Sequence, residues 1–200
     1  MEERVGRSGQ GSEGARPVMS EVGLWNYIRD HVPGPDWVRV ENSVGPGTPD
    51  VNYSYEGSEG WIELKWVAQF PKSPRVCVFG NRRGLRPEQK VWIRRRTLKK
   101  GSVWIVAGVG RHVFFIPGDC AFAFNRFRRS DLENHSALSI ARGDPTFGDR
   151  VLELLRYGPP SRNARRRASP EPRATDPGNE LPSRERISPR PRTEPHSTLT

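Results

Sequence analysis

Asp50, Glu63 and Lys65 are the residues whose types and spacing could do chemistry. In Trp61-Ile62-Glu63-Leu64-Lys65-Trp66, Ile62, Leu64 and Trp66 point to one side of an extended chain, and Trp61, Glu63 and Lys65 to the other. Asp50-Val51-Asn52-Tyr53-Ser54-Tyr55 alternates in the same way. Pairing the two runs around Glu56-Gly57-Ser58-Glu59-Gly60 sets Asp50 across from Glu63 or Lys65, and gathers Val51, Tyr53 and Tyr55 with Ile62, Leu64 and Trp66 on a buried face. Two carboxylates side by side raise each other's pKa. A divalent cation relieves that cost, and oxygen donors suit Mg²⁺. Asp50 and Glu63 are the expected ligands, with the Leu64 carbonyl as a third. Such a centre lowers the pKa of a bound water and neutralises charge at a phosphate. Lys65 is then placed to orient the attacking water or to stabilise the charge that develops. The alternative reading is a structural ion-pair cluster on a solvated sheet face.

The elements that must hold this hairpin follow from periodicity. Ser20 can cap a helix running to about His31, with Val22, Trp25, Ile28 and Val32 as its apolar face. Pro33-Gly34-Pro35 stops it. Trp37–Glu41 reads as a short strand, followed by strands at Asp50–Tyr55 and Trp61–Trp66. Residues 67–86 read as an irregular basic loop. Pro87 suits the first turn of a helix ending near Lys100, with Gly101 as terminator. Ser102–Gly108 and Arg111–Ile116 form a closing hairpin, and Asp149–Tyr157 a short helix. The expectation is an α/β fold with a mixed central sheet flanked by helices.

Composition sets the limits of that fold. The chain has 200 residues, 20 Gly, 19 Pro, 34% apolar residues and a net charge of +10. Residues 1–18 and 158–200 hold too few apolar side chains to offset their ordering entropy and are expected to be disordered, the second as a Pro/Arg-rich tail. A single domain over 19–157 remains. No apolar run approaches a bilayer span, and the N-terminus has no signal-peptide core. Two cysteines, Cys77 and Cys120, exclude a disulfide scaffold and a four-cysteine zinc site. A soluble, intracellular protein is expected, in the cytoplasm or with DNA.

The set Pro49-Asp50, twelve residues, Glu63-Leu64-Lys65 resembles the motif of the PD-(D/E)XK nuclease superfamily. The resemblance implies an αβββαβ restriction-endonuclease-like core and Mg²⁺-dependent hydrolysis of DNA phosphodiester bonds, with Mn²⁺ as a substitute. Gly47-Thr48-Pro49-Asp50, followed by a helix bearing Arg86-Pro87-Glu88-Gln89-x-x-Trp92, is similar to the VRR-NUC and Holliday-junction-resolvase-like branch. That branch implies a catalytic role for Gln89 and a metal-facing role for Glu21 on the first helix. The alternatives are an exposed helical Gln and a Glu that only favours the helix dipole. The resemblance covers about residues 20–117.

Between Trp66 and Gly118, twelve basic residues stand against Glu88 alone. Such a segment reads as a phosphate track, with Arg82, Arg83, Arg86, Lys90, Arg96 and Lys100 as the candidate DNA contacts; the alternative is a solvated basic helix. Gln89, Ile93, Arg96 and Lys100 are expected to share one side of the helix. The expected function is a Mg²⁺-dependent endonuclease selective for branched DNA. The alternatives are a restriction-like or flap/duplex-processing nuclease, and a non-catalytic nucleic-acid-binding protein with a nuclease fold. Symmetric junction cleavage implies a homodimer, with Val113, Phe114, Phe115, Phe122, Phe124 and Phe127 as the candidate interface; the alternative is that half of them fill the core behind the last strand.

Overall fold

The computed structural model describes residues 20–41 and 45–160. The segments expected to be disordered lie outside those residues, except for 158–160. Helix α1 spans Glu21–His31, and the Ser20 hydroxyl accepts the Gly23 amide at 3.2 Å. Leu24, Trp25 and Ile28 form its buried stripe. Val22, expected on that stripe, is 57% exposed, because it lies about 120° round the helix from Ile28 at 100° per residue.

Strands β1 (Asp36–Arg39), β2 (Val51–Tyr55) and β3 (Ser58–Val67) form an antiparallel meander. The turn between β2 and β3 is shorter than expected. Glu56 and Gly57 make it alone, with φ of 45° and 79°, the two positive values of a primed hairpin turn. Ser58, Glu59 and Gly60 therefore belong to β3. Val51 pairs with Ile62; carried one residue further, that register sets Asp50 opposite Glu63.

The segment expected to be a loop contains helix α2 (Gly80–Arg83), and α3 spans Pro87–Leu98. Together they carry the chain back across the sheet, so that β4 (Ser102–Val109) runs parallel to β3. β5 (His112–Pro117) returns antiparallel. A 3₁₀ turn at Gly118–Cys120, α4 (Ala121–Phe124), α5 (Arg129–His135), β6 (Leu138–Ala141) and α6 (Phe147–Tyr157) complete the order. The six strands lie in sequence order in one mixed sheet. The αβββαβ order and the mixed sheet flanked by helices are those expected.

Two cores cover the two faces. Leu24, Trp25 and Ile28 of α1 and Val151 and Leu155 of α6 pack on Val51, Tyr53, Ile62, Leu64, Trp104, Val106 and Phe115. Ile93 of α3, with Phe124, Phe127 and Leu132, packs on Val103, Ile105, Ala107, Phe114 and Ile116. Burying each large side chain is worth roughly 1.5–3 kcal/mol. The candidate dimer surface is spent in these cores. Val113, Phe114, Phe115, Phe124 and Phe127 are buried, and only Phe122 is exposed, at 52%. β5 lies between β4 and β6 with both faces covered, so alternate residues fill opposite layers. Among the described residues, no helix is long and apolar enough to cross a membrane.

Candidate active site

The site forms where β2 stops short. In an antiparallel pair one residue's N–H and C=O face the same neighbour. At Leu64 that neighbour has ended, since β2 begins only at Val51. Side chains supply the missing bonds. The Leu64 amide donates to Asp50 Oδ2 at 2.8 Å, and the Leu64 carbonyl accepts from Lys65 Nζ at 2.9 Å. Asp50 stands just outside the strand expected to include it. Its main chain stays tied to the end of β1, its carbonyl accepting the Val40 amide at 2.9 Å.

Glu63 lies at the centre of this arrangement and is fully buried. With Lys65 also buried, these two charges do not stand on a solvated surface as the ion-pair alternative supposes. Lys65 Nζ donates to Glu63 Oε1 at 2.6 Å. Gln89 Nε2 donates to the same oxygen. Glu63 Oε2 is buried with no partner among the described residues. Burial pushes the Glu63 carboxyl up to about 7 despite the pull of Lys65, and the charges of Asp50 and Glu21 push the same way.

Gln89 is buried rather than exposed, and α3 is built around it. Its Oε1 accepts the Arg86 amide at 2.9 Å, closing the capping box at the helix start while Nε2 reaches Glu63. Gly47 is what lets the loop before Asp50 approach this turn. Its φ is +87°, and a Cβ there would stand 2.4 Å from the Glu88 carbonyl oxygen. The loop carrying Asp50 and the helix carrying Gln89 are therefore in direct contact.

Glu21 also arrives, through Lys65: Oε1 lies 3.7 Å from Nζ. No three His, Cys, Asp or Glu side chains among the described residues form a metal-binding cluster. The donors expected for a cation, the Asp50 and Glu63 carboxylates and the Leu64 carbonyl, all belong to this arrangement, with Glu21 beside Lys65. The residues fit Mg²⁺: the donors are all oxygen, and a buried carboxylate oxygen lacks a partner.

The basic candidates sit on the connection between β3 and β4. Arg82 and Arg83 are exposed on α2, Arg86 is exposed at the start of α3, and Lys90 is half-buried on it. The shared stripe holds for Gln89 and Ile93, which face inward, and for Arg96 at its margin. Lys100 is not on it. The helix ends at Leu98, and Lys100 sits in the left-handed region at φ 62°, while Gly101 N–H donates to the Arg96 carbonyl at 3.0 Å. That pattern is a Schellman cap with lysine where glycine is usual, so Lys100 rather than Gly101 makes the stop.

Asn125 is a supporting residue that sequence reasoning missed. Its Oδ1 accepts the Leu85 amide at 2.8 Å, and its Nδ2 donates to the Leu85 carbonyl at 3.0 Å. This buried clamp fixes the chain just before α3. The only sequence sign is a polar residue inside an aromatic run, forty residues from its partner.

No protein-family model matches the chain, and no curated protein does. Among solved structures, the chain is similar to Hjc of Archaeoglobus fulgidus, a Holliday junction resolvase from an archaeal hyperthermophile. Identity is 18% and the TM-score 0.32, over 49% of this chain and 70% of that one. At that score the likeness is partial, and the site described above rests on this chain's own side chains.

Proposed function

We propose that this chain is a divalent-metal-dependent endonuclease that hydrolyses DNA phosphodiester bonds, with branched DNA as its substrate. The observation that carries the reading is the convergence of Asp50, buried Glu63, the Leu64 carbonyl and Lys65 where β2 ends. A structural protein gains nothing from burying a carboxylate with one oxygen unpaired.

Asp50, Glu63 and the Leu64 carbonyl would hold the cation. Bound there, Mg²⁺ supplies a water of lowered pKa and neutralises charge on the phosphate. Lys65, held between Glu63 and the Leu64 carbonyl, is the group that orients the water and meets the charge on the phosphoryl oxygens. Gln89 fixes the Glu63 carboxylate in one orientation. Arg82 and Arg83 on α2, with Arg86 and Lys90 at the start of α3, would grip the backbone of the bound strand.

The test is cleavage of duplex, single-stranded, flap and four-way-junction DNA with and without Mg²⁺. Cleavage that requires Mg²⁺, favours the branched forms and is abolished by Asp50→Asn or Glu63→Gln, with DNA binding largely kept, is the expected result. Wild-type rates in either variant would remove the assignment.

A further inference from the structure

Glu59, Trp61, Glu63 and Lys65 share one face of β3, each about 7 Å from the next. One step from Glu63, the Trp61 indole meets Trp92 of α3 edge to face, with centroids 5.2 Å apart and planes at 64°. The Arg96 guanidinium lies over both rings, 6.0 Å from Trp61 and 5.7 Å from Trp92. Gly101 permits this: a Cβ there would come within 2.8 Å of Arg96 Cγ. Arg96 makes no ion pair among the described residues. Trp61, Arg96, Lys99, Glu59, Gly101 and Ser102 line a cavity of about 270 Å³.

Packing alone does not account for this cavity. Trp61 and Trp92 are both half-buried, and two cations stand at the cavity instead of apolar side chains. An aromatic face beside unpaired cations is what a nucleotide takes: stacking for the base, positive charge for its phosphate. The size suits one planar ring system rather than a larger ligand.

We infer that this cavity is a subsite for a single unpaired nucleotide flanking the phosphate to be cut, with Trp61 as the stacking surface and Arg96 and Lys99 on the adjoining phosphate. Glu59, the one acidic group in the lining, accepts from the amino or imino hydrogens of the base. The step from Glu63 to Trp61 is one that an extended single strand covers with one nucleotide. A base inside a continuous duplex is already stacked on both sides and cannot enter. The substrate is therefore DNA with an unpaired nucleotide beside the cut, as at a branch, flap or overhang. This inference rests on the nuclease reading for which phosphate is cut, but not for the binding it predicts.

The experiment uses the full chain without Mg²⁺, in EDTA, and flap DNAs carrying 2-aminopurine or an abasic site at successive positions around the branch. One position is expected to show quenching of 2-aminopurine. An abasic site there, or Trp61→Ala, is expected to weaken binding by between about fivefold and a hundredfold. The two changes together should cost no more than either alone, and Trp61→Phe should restore most of the affinity. Continuous duplex should bind Trp61→Ala and wild type alike. Equal losses on duplex and flap, or additive losses from the two changes, would make Trp61 a structural residue and overturn the subsite. Because Trp61→Ala could perturb folding, the abasic series on wild-type protein stands as the second measurement: no position-specific loss overturns the inference. Coupled stacking without Mg²⁺-dependent cleavage of any DNA would keep the subsite and remove the nuclease reading. Cleavage without coupling would do the reverse.

Discussion

Gln89 donates from Nε2 to Glu63 Oε1 while its own oxygen accepts the Arg86 amide, so one carboxamide both starts α3 and aims the buried carboxylate. The helix start and the Glu63 orientation are therefore coupled. Gln89→Ala should lose both effects. The cap is worth about 1 kcal/mol, which is a fall of roughly 3–6 °C in Tm for a domain of this size, and cleavage should drop at least tenfold. Gln89→Glu keeps an acceptor for Arg86 but sets a second carboxylate against Glu63. It should retain more of the Tm and none of the lost activity. Thermal melts and single-turnover cleavage of both variants check this; equal rates in Gln89→Ala and wild type would confine Gln89 to capping.

Lys65→Ala should lose most cleavage and still bind Mg²⁺. Lys65 contacts two of the oxygens assigned to the cation without being a ligand itself. Titration calorimetry with Mg²⁺ alone reads the metal. Loss of binding, with the fold intact by circular dichroism, would contradict the role given to the lysine.

The raised Glu63 pKa makes a prediction about pH. Its ordinary value is 4.5, and burial raises it to about 7 in the folded chain. Between those values the folded state holds the proton that the unfolded state has released. Stability of the metal-free protein should therefore fall as pH rises through that window, by an amount on the order of 3 kcal/mol. Urea denaturation at pH 5 and pH 8 in EDTA measures the fall. Glu63→Gln should flatten it, and Mg²⁺ should restore stability at pH 8 more than at pH 5. A midpoint independent of pH would show that the carboxylate finds compensation in the apo protein.

Lys100 offers a test that separates stability from binding. It holds a positive φ at the cap of α3 and is exposed. Lys100→Gly should stabilise the fold by about 0.5–1 kcal/mol and, if this lysine meets DNA, lower the slope of log affinity against log salt by about one. An unchanged slope would remove Lys100 from the phosphate contacts while leaving the cap argument standing.

The site's hairpin was legible because alternation is informative where one face differs from the other. Val51, Tyr53, Ile62 and Leu64 on one side and Asp50, Glu63 and Lys65 on the other leave one sensible register. The same logic misled at β5, where Val113, Phe114 and Phe115 are apolar on both faces and so resembled a spare surface. Arg129–His135, with Leu132 as its one apolar residue, and Leu138–Ala141, only four residues long, were not legible. Burial of Gln89 and the clamp at Asn125 depend on contacts between residues far apart in sequence, which no local pattern records. The contact of Trp61 with Trp92 of α3 is of the same long-range kind.

The parallel pairing of β3 with β4 also sets the order in which the site can be completed. Parallel neighbours cannot be joined by a tight turn, so the chain must cross over the sheet, and the crossing carries α2 and α3. Asp50, Glu63 and Lys65 come together within one hairpin, a contact that costs little loop entropy and closes on a microsecond scale. Gln89 arrives only when the long connection docks, and Asn125 later still in the chain. A refolding protein therefore acquires its two carboxylates early and their alignment late. Regain of tryptophan fluorescence and of cleavage should accordingly be separate kinetic phases.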